Sequence, residues 1–175
     1  VVTLAAPESA QARLQVIHNA ADPSAAVVDI YLDDALLLDD FAFRAATPFV
    51  DVPAGQQLAI GIAPGNSSDV NDAIATINVE FEDGKTYIAV ANGVLNPANF
   101  AANPDMKDIA FTLFSTDMAL ESGSSASDVD LKVLHGATDA PAVDVIARGV
   151  GTLVNDAAYG DMTPYITVAP ASYTL

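Results

Sequence analysis

Leu14-Gln15-Val16-Ile17-His18-Asn19-Ala20-Ala21-Asp22, close to the start of this chain, returns near its end as Leu131-Lys132-Val133-Leu134-His135-Gly136-Ala137-Thr138-Asp139. The only two histidines of the sequence hold equivalent places in the two stretches, 117 residues apart. The correspondence continues through Val28-Asp29-Ile30 and Val143-Asp144-Val145 at a spacing of 115. It goes on through Phe43 and Tyr159, and through Thr47-Pro48-Phe49-Val50-Asp51-Val52 and Thr163-Pro164-Tyr165-Ile166-Thr167-Val168, at 116. The spacing changes fall in loops, as they do when one structural unit is duplicated. Copy one runs on well past this block, whereas copy two reaches Leu175 where its next strand is due, so the second copy is expected to be incomplete.

Within copy one the hydrophobic period is two, the mark of half-buried strands. Leu14, Val16 and His18 share a face, as do Val28, Ile30 and Leu32, with Asp29 and Tyr31 expected to point away; Asp29 and its counterpart Asp144 are expected on the solvent side. Leu58, Ile60 and Ile62, then Ile77, Val79 and Phe81, then Tyr87, Ala89 and Ala91 repeat the pattern, and Ile109–Phe114 closes it. Turn formers such as Asp22-Pro23-Ser24, Pro64-Gly65-Asn66 and Glu82-Asp83-Gly84 separate these runs, and no segment keeps a helical period. About seven short strands imply an all-β fold, a tandem antiparallel β-sandwich of immunoglobulin-like type, with a barrel as the alternative. Asp83-Gly84-Lys85-Thr86-Tyr87 matches the setting of a tyrosine corner, in which the phenol of Tyr87 bonds back to nearby backbone. The organisation expected is an N-terminal extension or signal-peptide tail over 1–11, a first sandwich copy over 12–116, a Ser-rich linker over 117–128 and the start of a second copy over 129–175.

The 175 residues are 51% hydrophobic, ample for a core, yet no apolar run is long enough for a membrane helix. The formal charge of −17 divides into −11 over 1–116 and −6 over 117–175. With six Lys and Arg against 23 acids, a nucleic-acid partner or insertion into an anionic membrane is not expected. Cysteine is absent, which removes thiolate nucleophiles, disulfides and Cys-ligated zinc. Val1–Ala12 reads either as the tail of a signal segment with an Ala-x-Ala site before Arg13, favouring export, or as an additional N-terminal strand.

The block Arg13-Leu-Gln-Val-Ile-His-Asn-Ala-Ala-Asp-Pro23, its second form Leu131-Lys-Val-Leu-His-Gly-Ala-Thr-Asp-Ala-Pro-Ala-Val-Asp-Val145, and Thr47-Pro-Phe-Val-Asp-Val-Pro-Ala-Gly55 together resemble the exported bacterial domain of unknown function 4397. The resemblance implies a secreted or surface-anchored β-sandwich, often in tandem, with no activity attached. Copy one departs from the pattern by inserting Ser24-Ala25-Ala26 before Val27.

Of the repeated polar residues, His18 and Asp22 lack a nucleophile recurring in both copies, since Ser24 has no counterpart at Ala140 or Pro141, so a hydrolytic pair is not expected. A closed metal site would need further donors that the repeat does not supply. His18, Asp22, His135 and Asp139 therefore read as structural pins at the strand-to-loop junction, the imidazole bonding a loop carbonyl or the aspartate. Asp69-Val70-Asn71-Asp72 clusters hard oxygen donors, which makes Asp69, Asn71 and Asp72 the candidate calcium ligands, although a solvated loop explains them as well. Asp33-Asp34 and Asp39-Asp40 flank Leu36-Leu37-Leu38 as charged guards of an edge strand or as the rim of a contact patch.

The expected function is a non-enzymatic extracellular or cell-surface structural or adhesive module without a cofactor, calcium aside, in a bacterial setting. It assembles with other copies of itself by strand pairing at residues 129–175, for which Val1–Ala5 is an available donor. A glycan- or calcium-binding surface module is the alternative.

Overall fold

The structure is a computed structural model and describes residues 9–175. The donor segment Val1–Ala5 and most of the N-terminal extension lie outside these residues. Twelve strands and three short 3-10 turns carry the described chain, and none of it is α-helical.

Strand β1 (Gln11–His18) pairs antiparallel with β4 (Val50–Pro53), and the four-stranded sheet continues in the order β4-β1-β7-β8, with β7 at Thr86–Asn92 and β8 at Thr112–Thr116. A second sheet has the order β3-β2-β5-β6, formed by Ala35–Ala42, Val27–Leu32, Gln57–Pro64 and Ala75–Glu80. Leu14, Val16, Val28, Ile30, Val52, Leu58, Ile60 and Ile62 are buried, so the apolar positions of period two are the ones that leave water. The arrangement is sandwich-like. It carries eight strands where about seven were expected, and the edge strand read at Leu36–Leu38 is present as Ala35–Ala42 at the edge of the second sheet. Leu36 is half exposed there while Asp33, Asp34, Asp39 and Asp40 stay in water.

Two expectations are corrected. Asp29 and Tyr31 do not point into solvent but are 2% and 4% exposed, because β2 lies inside its sheet and the loop after β5 covers that face. The chain makes their burial tolerable by satisfying them. Asp29 accepts from the Asp40 amide at 2.9 Å and from the Ser67 amide and hydroxyl at 3.2 and 2.5 Å. Since the one proton of Ser67 goes to the carboxylate, the Tyr31 hydroxyl donates to Ser67 Oγ at 2.9 Å. Burial pushes the Asp29 carboxyl up, but the Ser67 hydroxyl and the two amides together hold it below its ordinary value of 3.8. The strand expected over Ile109–Phe114 starts later, at Thr112. Val94 donates to the Ile109 carbonyl and accepts from the Phe111 amide, which makes 109–111 an isolated parallel bridge.

Beyond Thr116, β9 (Val129–Leu131) pairs only with β12 (Ile166–Val168), and β10 (Val143–Ala147) only with β11 (Gly151–Ala157), among the described residues. The residues form two compact units interleaved in sequence: one from the stretch up to His18, Val27–Val90 and Ser115–Ala119, the other from Asn19–Ala26, Ala91–Phe114 and Leu120–Leu175.

Bonds recur along with the sequence. His18 donates its amide to the Ala45 carbonyl and accepts from the Arg44 amide; His135 does the same with Asp161 and Gly160. The Val16 amide donates to Thr47 Oγ1 and the Val133 amide to Thr163 Oγ1, each at 3.0 Å. Gln15 Nε2 donates to the Thr47 carbonyl where Lys132 Nζ donates to that of Thr163. The pairs Leu14/Val50 and Leu131/Ile166 occupy the same register.

Candidate functional site

His18 ends β1, where its ring is buried 5.9 Å from Phe41 and 6.0 Å from Phe43, edge-on to the latter. Asp22 is buried as well. Its two oxygens accept from the amides of Ser24 and Leu95, both at 2.9 Å, so one carboxylate caps the 3-10 turn Pro23–Ala25 and ties it to residue 95.

His135 is defined atom by atom. Its Nε2 lies 2.9 Å from the Pro141 carbonyl, which can only accept, so Nε2 carries the proton and Nδ1 is left to accept from the Ala137 amide at 3.4 Å. This neutral tautomer spans the loop between β9 and β10. Tyr159, at the place of Phe43, sets its ring edge-on to His135 at 6.5 Å and to Phe114 at 5.6 Å. Asp139 departs from Asp22: it is exposed, and its loop is tied down from another direction. Asn103, 4% exposed, donates to the carbonyls of Thr138 and Ala140 at 3.1 and 3.0 Å while its oxygen accepts from the Asp105 amide at 2.9 Å. Asp105 in turn accepts from the Ala142 amide at 2.7 Å.

Deeper in the same unit, Asn92 is fully buried. Its Nδ2 donates to the Gly136 carbonyl and to the Tyr159 hydroxyl, both at 3.1 Å, and its Oδ1 accepts from Asn19 Nδ2 at 2.8 Å. Asn19 and Gly136 are equivalent positions of the repeat, so a single amide reads both loops. Burial raises the pKa of Tyr159, the Asn92 bond opposes the rise and Asp108 adds to it. Nothing in the sequence singles out Asn92 or Asn103. Asn92-Gly93 and Asn103-Pro104 look like ordinary turn dipeptides, and only the match of Tyr159 to Phe43 marks its position.

Two clefts open beside this core. One of about 490 Å³ is lined by Pro97, Phe100, Met106, Lys107 and Ile109 among others; one of about 330 Å³ by Lys107, Asp108, Phe111, Phe114 and Tyr159 among others. Neither brings together a nucleophile, a base and an oxyanion donor.

Tyr87 accepts from the Glu82 amide at 3.1 Å and meets Phe81 edge-on at 5.0 Å, which fastens the turn ahead of β7. Asp69 caps the 3-10 turn Val70–Asp72 by accepting from the Asn71 amide at 2.7 Å, and Asp72 accepts from the amide and hydroxyl of Ser68. Those two bonds lower the Asp72 pKa. The carboxylates of Asp69 and Asp72 therefore face their own backbone. Among the described residues no three His, Cys, Asp or Glu converge on a common point.

The fold and these pinned loops define an all-β protein of sandwich-like sheets. Residues 12–110 match the family model described as Domain of unknown function (DUF4397), and the chain belongs to that family. No curated protein and no solved structure matches the chain.

Proposed function

We propose that this chain is a non-enzymatic structural or adhesive module of the extracellular or bacterial cell-surface environment, an immunoglobulin-like sandwich in tandem. It joins other chains, copies of itself among them, by β-strand pairing at residues 129–175. The supporting observation is that β9–β12 and β10–β11 are two-stranded ladders, a size that is marginal alone. Val129, Ile146 and Val150 of this region are 45%, 50% and 63% exposed, as apolar surface awaiting a neighbour would be. The Ala-x-Ala pattern at Ala10–Ala12 supports export.

The test is light scattering of the full chain over a wide range of concentration and salt. Because −17 charges per copy repel at low ionic strength, mass should grow with concentration and more so in high salt. A monomer mass at millimolar protein in high salt ends the self-assembly reading.

A further inference from the structure

Of the nine asparagines in the chain, only Asn92 is followed by glycine. Such a pair is chemically fragile, because glycine has no side chain to keep its amide nitrogen away from the carboxamide carbon before it. That nitrogen can bond to Asn92 Cγ while Nδ2 departs, and the fold opposes the approach in two ways. The carboxamide is fully buried and held at both ends: Nδ2 donates to the Gly136 carbonyl and the Tyr159 hydroxyl, both at 3.1 Å, and Oδ1 accepts from Asn19 Nδ2 at 2.8 Å. Turning Cγ back over its own main chain breaks all three bonds. Gly93 is clamped as well, at a φ of +86° and so close to residues 109 and 110 that a Cβ would collide with the Ala110 carbonyl oxygen and stand 2.7 Å from that of Ile109. The next residue, Val94, donates to the Ile109 carbonyl and accepts from the Phe111 amide, which fixes this stretch of backbone.

We infer that Asn92 is a latent deamidation site, closed while its surroundings are folded and reactive once they open. The chemistry needs water and nothing else. The Gly93 nitrogen gives up its proton to solvent and bonds to Asn92 Cγ; the Cγ–Nδ2 bond breaks, and Nδ2 takes up a proton and leaves as ammonia. Water then opens the resulting succinimide at Cγ, leaving aspartate, or at the main-chain carbonyl carbon, leaving isoaspartate. One water is consumed for each ammonia released. Either product records the opening. Aspartate sets a carboxylate against the Gly136 carbonyl in a dry region, and isoaspartate lengthens the backbone by a methylene at the end of β7, so a chain that has reacted cannot rebuild the same bonds. Because the attack is intramolecular and slow beside local closing, its rate follows the opened fraction of these residues.

The full chain is held at mildly alkaline pH, in buffer and in urea above its unfolding transition, then cut in acid and read by mass spectrometry for amide-to-acid conversion at each asparagine. In urea Asn92 should convert first, and in buffer it should convert about a hundredfold or more slowly than in urea. Tyr159→Phe, which removes one acceptor of Nδ2 and keeps the ring, should speed conversion in buffer about tenfold. Should that variant fail to fold, the unsubstituted chain in a urea series below the transition serves instead, and conversion should rise in parallel with hydrogen exchange at residues 92–94. Refolded material converted at Asn92 should melt below the unreacted chain. Conversion in buffer within about threefold of the rate in urea overturns the inference. So does another asparagine reacting first in urea, an unchanged rate in folded Tyr159→Phe, conversion that ignores the urea series, or a converted chain that melts as the unreacted one does.

Discussion

Asn92 Nδ2 lies 3.1 Å from the Tyr159 hydroxyl, a bond between an amide at the end of β7 and a phenol that follows β11, 67 residues later in the chain. The same amide group reaches the Gly136 carbonyl, so three polar groups of a nearly dry region are satisfied together. Asn92→Ala leaves the Gly136 carbonyl without this donor and Asn19 without its acceptor. A loss of about 2–3 kcal/mol follows from uncompensated burial. In a chain of this length that is a fall of about 5–10 °C in Tm, measured by circular dichroism. Asn92→Asp should be worse at neutral pH, where a carboxylate faces a carbonyl, and should recover in mild acid as protonation restores a donor.

Gly136 is where the second loop of the repeat is hydrogen-bonded to Asn92. A Cβ there would stand 2.6 Å from Asn19 Nδ2 and 3.1 Å from Asn92 Oδ1. Gly136→Ala should therefore destabilise by about 1–3 kcal/mol, the range for overpacking. Asn19→Ala removes the clashing atom, so the double variant should lose less than the sum of the two singles. Additive losses in urea melts would show that position 136 is not limited by Asn19.

Much of this arrangement was legible from the chain. The period of two placed Leu14, Val16, Leu58, Ile60 and Ile62 in the core, and the repeat located His18 and His135. Failure came where burial depends on a neighbouring element. Asp29 reads as a polar residue between apolar ones, and nothing local announces that Ser67, 38 residues on, will cover it. Asp22 and Asp139 are alike in sequence, yet Asp22 is buried against the Leu95 amide and Asp139 lies in water. The asparagines at 92 and 103 act through partners more than 30 residues away, a distance over which periodicity carries no signal.

Asp29 gives the fold an acid-sensitive point. Its carboxyl is lowered from 3.8, so the folded state binds the proton more weakly than the unfolded one. Its contribution is fully present above pH 3.8 and is lost as pH falls through the lower folded value. Asp29→Asn replaces an acceptor by an amide that turns a donor towards Ser67. It should cost about 2 kcal/mol at neutral pH and flatten the decline of stability below pH 4. Asp144→Asn, at an exposed position that accepts from the Asp156 amide, should leave both nearly unchanged. Equal acid sensitivity of the two variants would remove Asp29 as the cause.

His135 makes the most local prediction. Its ring joins the Pro141 carbonyl to the Ala137 amide, and protonation would convert Nδ1 from acceptor to donor and set it against that N–H. His135→Phe keeps the edge contact with Tyr159 but leaves the Pro141 carbonyl and the Ala137 amide without these partners. The expected loss is about 1–2 kcal/mol, with hydrogen exchange quickening in residues 136–142 before it does elsewhere. His135→Gln, which can still donate to the Pro141 carbonyl, should recover part of the loss. If His135→Phe raises exchange uniformly and the glutamine variant behaves identically, the ring acts by packing against Tyr159 and not by holding the loop.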